Sequence, residues 1–290
     1  MRLVTYDRAG ARRLGAWVGD TVVDLPDAVG HPAFPTTMEA LLTRHGGTVL
    51  DAARHVLMSS KGILDFAIEE PRLLVPIIPA SLLEFESGAG PSAKPRKRTL
   101  FGPDEQIPWP PAAGALGYGL ELACVLGKGG NDLSPPQAAR LIFGYMLKVT
   151  WSIDRRARKS SAQETANSER DFATCLGPCI VTRDEFDPTD AHLSIRIDGR
   201  TEWDGDVGPV RRHLAGMIAH VSKESPVCPG EIFGLPVGSD IAHRLGGIRP
   251  GAKVEVSVGG LGELRTRVGR LPRARKRAAA LSLSRPALAH

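Results

Sequence analysis

The sequence predicts a β-rich α+β fold, with a small amino-terminal α/β domain ahead of a larger, mostly β domain. Three observations carry that expectation. Short runs of alternating polar and apolar residues dominate after residue 76, Gly-containing tight turns separate several of them, and helical spacing is confined to a few stretches. With 290 residues and 42% apolar content, the chain can bury more than one core. The composition divides it into residues 1–75, residues 76–270 and a basic tail at 271–290.

In chain order, Leu14 to Leu25 reads as an extended pair turning at Gly19-Asp20. Helices are expected next. Thr36-Thr-Met-Glu39 offers a Ser/Thr-x-x-Glu capping box ahead of Ala40-Leu-Leu42, and Leu50 to Met58 has helical spacing. In Tyr118 to Gly127, Leu120, Leu122, Cys124 and Leu126 fall on one face and Gly119, Glu121, Ala123 and Val125 on the other, the pattern of a half-buried strand. Ser134-Pro-Pro-Gln137 caps a helix expected to end near Gly144, and a second helix is expected over Val210 to Val221. Leu193 to Ile197 precedes an Asp198-Gly199 hairpin turn. Lys253 to Val258 and Leu261 to Val268 flank a Gly-Gly turn. No internal repeat is present.

Glu121 is the residue that most invites a functional reading. A carboxylate among Gly, Ala and Val on a half-buried strand is costly without a cation or hydrogen-bond donors. Gly144-Tyr-Met-Leu-Lys-Val-Thr-Trp-Ser152, Arg170-Asp-Phe-Ala-Thr-Cys-Leu-Gly-Pro178 and Pro229-Gly-Glu-Ile-Phe-Gly234 accompany it. With these motifs the chain resembles the fumarylacetoacetate hydrolase superfamily over nearly its whole length. That resemblance implies a mixed β-sandwich roll for the larger domain, a homodimer, and a pocket at the ends of the strands bearing Glu121 and Thr150. Glu121, Thr150 and Arg170 are then the catalytic candidates, with Gly119, Tyr118, Glu84, Glu86, Pro236 and Val237 lining the substrate site.

The departures from the family pattern shape the functional expectation. Where the family carries Glu-x-Glu, both carboxylates binding a divalent metal, this chain has Gly119-Leu-Glu121. The third family ligand, an Asp, falls on Thr150, and the active-site Lys falls on Arg170. The lid segment, which in the family offers His and Glu, reads Leu82-Leu-Glu-Phe-Glu86 and holds no His. A hard cation such as magnesium prefers several anionic oxygen ligands, so no cofactor is expected, with Glu121 as the one weak metal candidate. On this pattern, Thr150→Asp with Gly119→Glu is expected to restore magnesium binding. Arg170 stays protonated and reads as a carboxylate anchor.

Other features have blander readings. Residues 265 to 290 carry eight basic and no acidic residues, leaving 29 basic against 32 acidic in the rest. The tail lacks aromatic residues that would stack bases, so no nucleic-acid partner is expected. Lys94-Pro-Arg-Lys-Arg98 reads as a solvated loop, Asp154 and Arg155 as a local ion pair. His213 and His220, seven apart on one helix face, read as packing or surface residues. Cys124, Cys175, Cys179 and Cys228 lack metal or redox spacing and are expected as reduced core residues. No apolar run has the length of a membrane span and the first residues turn polar too soon for a signal peptide. No membrane partner and a cytoplasmic location are therefore expected.

Three functions remain open on sequence. The first is an enzyme acting without metal on a β-dicarbonyl or 2-oxo acid, by isomerisation, decarboxylation, dehydration or ring closure, in a setting such as secondary metabolism. Glu121 would move a proton, Arg170 hold a carboxylate or enolate and Thr150 donate a hydrogen bond. The alternatives are a non-catalytic binding or structural subunit and a residual magnesium-dependent carbon-carbon hydrolase. Against all three stands a purely structural role for Glu121 in an ion pair with Arg170.

Overall fold

The computed structural model describes residues 1–43, 47–59, 62–85, 91–93, 100–110, 113, 115–154, 172–206, 210–237 and 248–270. The chain opens with three antiparallel strands, β1 (Arg2–Arg8), β2 (Ala11–Val18) and β3 (Thr21–Asp24), the last two joined at the expected Gly19-Asp20 turn. Short helices α1 (Leu25–Val29) and α2 (Met38–Thr43) and the longer α3 (Gly47–Met58) follow. β1 adds a strand ahead of the extended pair that the sequence predicts. It pairs antiparallel with β10 (Ala173–Thr182), so the amino-terminal strands continue a sheet whose centre lies far along the chain.

The remaining elements are β4 (Leu82–Phe85), β5 (Pro91–Ala93), β6 (Leu100–Phe101), β7 (Gln106–Ile107), β8 (Ala115–Leu126), α4 (Pro135–Ala139), β9 (Ile142–Asp154), β11 (His192–Ile197), β12 (Arg200–Asp206), α5 (Val210–Glu224), β13 (Ile232–Pro236), β14 (Lys253–Val258) and β15 (Gly262–Val268). Ten strands form one sheet in the order β3-β2-β1-β10-β9-β8-β13-β4-β5, with β6 added on β10. Five form a second, in the order β12-β11-β14-β15-β7. This is the expected β-rich α+β architecture. Among the described residues no helix is long and apolar enough to cross a membrane.

Two apolar cores follow from strand alternation. Leu120, Leu122, Cys124 and Leu126 of β8, with Leu147, Val149 and Trp151 of β9, join Leu193, Ile195, Val254, Val256 and Leu264 of the small sheet and Leu214 and Ile218 of α5. On the opposite face, Ala123, Val125, Met146, Leu176 and Ile180 join Leu25, Met38, Leu41, Leu42 and Ala53 of the three amino-terminal helices. The two-residue period predicted for β8 is therefore realised, with each face meeting a different layer.

Four local expectations change. The Ser134-Gln137 box forms, Gln137 Oε1 accepting the Ser134 backbone N–H at 2.9 Å, but α4 ends at Ala139 and Gly144 lies inside strand β9. Ile142, Phe143, Tyr145, Val149 and Trp151 favour an extended chain, and a Cβ at Gly144 would overlap the Val181 carbonyl oxygen of neighbouring β10. In α2 it is Thr37, not Thr36, that accepts from Ala40 N–H at 3.2 Å, while Glu39 accepts the Ile78 N–H at 2.9 Å. Residues 82–85, expected in a lid, form β4, parallel to β13. Cys124, Cys175 and Cys179 are buried free thiols as expected, but Cys228 is exposed, beside the turn at Pro229-Gly230.

Candidate functional site

The face of β8 that packs under the amino-terminal helices changes character part-way along the strand. Val125 and Ala123 belong to the apolar core; the next residues on that face are Glu121, Gly119 and Gly117. Antiparallel register places Lys148 of β9 opposite Glu121, Thr150 opposite Gly119 and Ser152 opposite Gly117. Thr174 of β10 lies in turn opposite Thr150. Three strands thus lay down a polar floor that continues directly from an apolar one.

At its centre, Lys148 Nζ donates to Glu121 Oε1 at 2.5 Å, and Thr150 Oγ1 donates to the same oxygen at 3.0 Å. Lys148 is fully buried, Glu121 6% exposed and Thr150 7% exposed. Withdrawing either charge from water costs several kcal/mol, offset only by close geometry and hydrogen bonds. The fold makes room for this pair. Gly234 of β13 sits under the carboxylate, where a Cβ would overlap Glu121 Oε2 and would stand 3.5 Å from Lys148 Cδ. Next to the pair the floor is open among the described residues, where a Cβ at Gly119 would meet no atom within 4 Å.

Of the catalytic candidates, Glu121 and Thr150 are brought together, and Arg170 lies outside the described residues. The cation that Glu121 was expected to find in Arg170 is supplied, among the described residues, by Lys148. The signal for Lys148 was present in the sequence. It is the one charged residue in the run Gly144 to Trp151, and it sits two positions before Thr150, hence on the same strand face.

The substrate-lining candidates separate. Gly119 belongs to the polar floor, whereas Tyr118 points to the opposite face of β8, where its ring packs 6.1 Å from that of Trp151. Burial pushes the Tyr118 phenol well above its usual pKa, with a smaller contribution from Glu202, and its hydroxyl has no hydrogen-bond partner among the described residues. Val237 is buried in the core between the sheets, its N–H donating to Leu120 O at 2.9 Å. Pro236 is exposed at the end of β13, in register with Glu121. The backbone of residue 84 pairs with Gly234; Glu86 lies outside the described residues, as do Arg155 and Lys94-Pro-Arg-Lys-Arg98. His213 and His220 are exposed on α5, and His220 Nε2 is 3.9 Å from Glu224.

Comparison with known proteins bears on this geometry. The sequence model described as Fumarylacetoacetate (FAA) hydrolase C-terminal matches residues 94–269. An uncharacterised protein of Pyrococcus abyssi is 28% identical over 174 residues, 58% of this chain and 75% of that protein. A fumarylacetoacetate hydrolase from Exiguobacterium antarcticum superposes with a TM-score of 0.72 at 21% identity, covering 93% of this chain and 99% of that one. A maleylpyruvate hydrolase from Sphingobium sp. SYK-6, solved with a manganese(II) ion and pyruvate, gives a TM-score of 0.68 at 21% identity, with 93% and 99% covered. At these identities the two structures share the fold with this chain.

The manganese in that relative raises the question whether the present residues suit a divalent ion. They do not. Gly119 offers no donor, Thr150 offers a neutral hydroxyl, and the Glu121 oxygen they flank is held by an ammonium at 2.5 Å, which would repel a second cation. Among the described residues no group of three or more His, Cys, Asp or Glu side chains is placed to hold a metal.

Proposed function

Because the chain belongs to the fumarylacetoacetate hydrolase family, we propose that it is an enzyme of that family acting by proton transfer on a β-dicarbonyl or 2-oxo acid, with no divalent metal at Glu121. The observation that supports this reading most is the buried Glu121-Lys148-Thr150 cluster beside the open floor at Gly119. An ammonium and a hydroxyl on one carboxylate oxygen fix the direction of Glu121, as a positioned general base requires. Its other oxygen is the one that would take a proton from a carbon acidified by neighbouring carbonyls and return it elsewhere on the substrate. Isomerisation, dehydration and ring closure draw on removal of that proton, whereas in decarboxylation the C–C bond electrons pass to an enolate as CO2 leaves, and its carbon then gains a proton. The Thr150 hydroxyl can turn to donate to a developing enolate oxygen, and Arg170 would anchor a carboxylate. The reading includes a small carbonyl or carboxylate substrate, no nucleic-acid or membrane partner, and a homodimer, which sedimentation would test.

The test is a screen of chelator-treated protein against small β-dicarbonyl and 2-oxo acids, reading proton exchange with deuterated water by NMR. Glu121→Gln removes the charge and keeps the shape. The reading expects exchange and turnover in the wild type and a loss of 100-fold or more in a folded Glu121→Gln variant, the scale of general base catalysis. Equal activity in the two proteins would exclude Glu121 as the base. Binding of these acids with neither exchange nor turnover would favour a non-catalytic subunit.

A further inference from the structure

We propose that Lys148 is a built-in cation that takes the place of a divalent ion at Glu121 and excludes one. The argument begins with strand register. Positions 119 and 121 of β8 face positions 150 and 148 of β9, so the four residues form one square of the sheet. Three of its corners are Gly119, Glu121 and Thr150, where the family resemblance leads one to expect three carboxylates. The fourth is Lys148, whose Nζ lies at 2.5 Å from the one carboxylate that remains.

The substitutions at these corners are coupled by charge. An ammonium carries half the charge of a divalent ion, so a tethered lysine needs fewer anions around it. Further carboxylates at 119 and 150 would leave buried negative charge uncompensated. A glycine and a threonine are what the smaller charge requires, and Thr150 still supplies a hydrogen bond to Glu121 Oε1. Shape agrees with charge. Lys148 has no solvent-accessible surface, and its methylenes and the Glu121 carboxylate occupy the space above Gly234. A hard divalent ion that keeps several of its waters would have to displace the ammonium to reach that carboxylate.

The consequence is that restoring the two missing carboxylates is not enough to recover metal binding, contrary to what the sequence pattern alone predicts. Lys148 must also go. The inference extends the metal-free reading proposed above, but it does not require the chain to be catalytic, and its test contains no substrate.

The experiment measures manganese(II) binding to full-length, chelator-treated protein by calorimetry and by the loss of the free-ion electron paramagnetic resonance signal. Four proteins are compared: wild type, Gly119→Glu/Thr150→Asp, Lys148→Met, and the three changes combined. The expected result is weak binding to the first two and a gain on the order of 100-fold or more in the triple variant over Gly119→Glu/Thr150→Asp. That follows from removing a unit charge a few Å from a divalent ion at an effective dielectric near 20. Equal affinity in the double and triple variants would overturn the proposal, as would tight binding by the wild type. If the triple variant does not fold, Lys148→Ala supplies the second measurement. Its melting temperature should rise with manganese(II) or with ethylammonium, while that of the wild type stays fixed, and no response to either cation would also overturn the proposal. A chain that gains metal only on losing Lys148 yet never turns over an oxo acid would sink the proposed function and leave this inference standing.

Discussion

Replacing Lys148 by Met tests the central pair through stability. The substitution keeps the length and apolar stem of the side chain and removes the ammonium 2.5 Å from Glu121 Oε1. Glu121, 6% exposed, then keeps the Thr150 hydroxyl on that oxygen but loses the compensating charge that the described residues supply. Breaking a buried pair from one side costs about 3–5 kcal/mol, a large share of the roughly 5–15 kcal/mol available to a folded domain. At roughly 2 °C per kcal/mol for a chain of this size, the melting temperature should fall by about 6–10 °C. Lys148→Met/Glu121→Gln removes both charges and should recover much of that loss, since neutral pairs of similar volume often equal buried ion pairs in stability. Urea denaturation of wild type, both single variants and the double variant gives the coupling energy directly. A cost below about 1 kcal/mol for Lys148→Met, or a double variant whose loss equals the sum of the singles, would show that the two residues do not compensate each other.

Other consequences are open to simple measurements. Gly234→Ala places a methyl group on Glu121 Oε2 and should cost about 1–3 kcal/mol by thermal denaturation; in a Glu121→Ala background the same change should cost much less. Burial alone would raise the pKa of Asp24, but hydrogen bonds from Arg13, Tyr6 and the Asp27 amide outweigh it and hold the carboxyl below its usual range. A carboxyl depressed in the folded state stabilises the fold above its unfolded pKa of about 3.9, and that contribution is lost as pH falls through the folded value. Asp24→Asn should therefore lower stability at neutral pH and flatten the loss below about pH 4, measured by urea titration across pH. Burial pushes the Cys124, Cys175 and Cys179 thiols up to about 12, while Cys228 is exposed. Native protein should consume one equivalent of a thiol reagent quickly and the other three on unfolding; rapid reaction of more than one would place another cysteine at the surface.

Strand alternation made the two faces of β8 legible in the sequence, and the turns at Gly19-Asp20 and Asp198-Gly199 located two hairpins. The length of α4 is not legible in the sequence because its Ser134 cap is a local signal, whereas its end is set by Ile142 to Asp154 joining a sheet between β8 and β10. β1 was hidden because the stretch Arg2 to Arg8 mixes charged and apolar residues, and its partner β10 is some 180 positions away. Nearness to Glu121 in sequence suggests a site role for Tyr118. The same two-residue period that places Glu121 on the floor turns the ring of Tyr118, three positions away, to the other face. Lys148 falls at a position that the family pattern leaves unspecified, so it registers as a gained cation only once β8 and β9 are paired.

The register pair next to the site suggests why Glu121 and Lys148 do more than hold two strands together. One step along the same face, Ala123 of β8 stands opposite Met146 of β9, and both pack into the core beneath the amino-terminal helices. An apolar pair at 121 and 148 would extend that core without the desolvation of two charges, and such replacements commonly leave stability unchanged or raise it. Packing alone therefore gives no reason for the ion pair. What distinguishes its position is the open floor that begins at Gly119 and the hydroxyls of Thr150, Ser152 and Thr174 carried by the adjoining strands. A fixed carboxylate is useful at that boundary only if something reaches it from the open side. If both neutral and apolar double replacements retained stability while Glu121→Gln lost proton transfer, the cost of burying this pair would be tied to chemistry at the site.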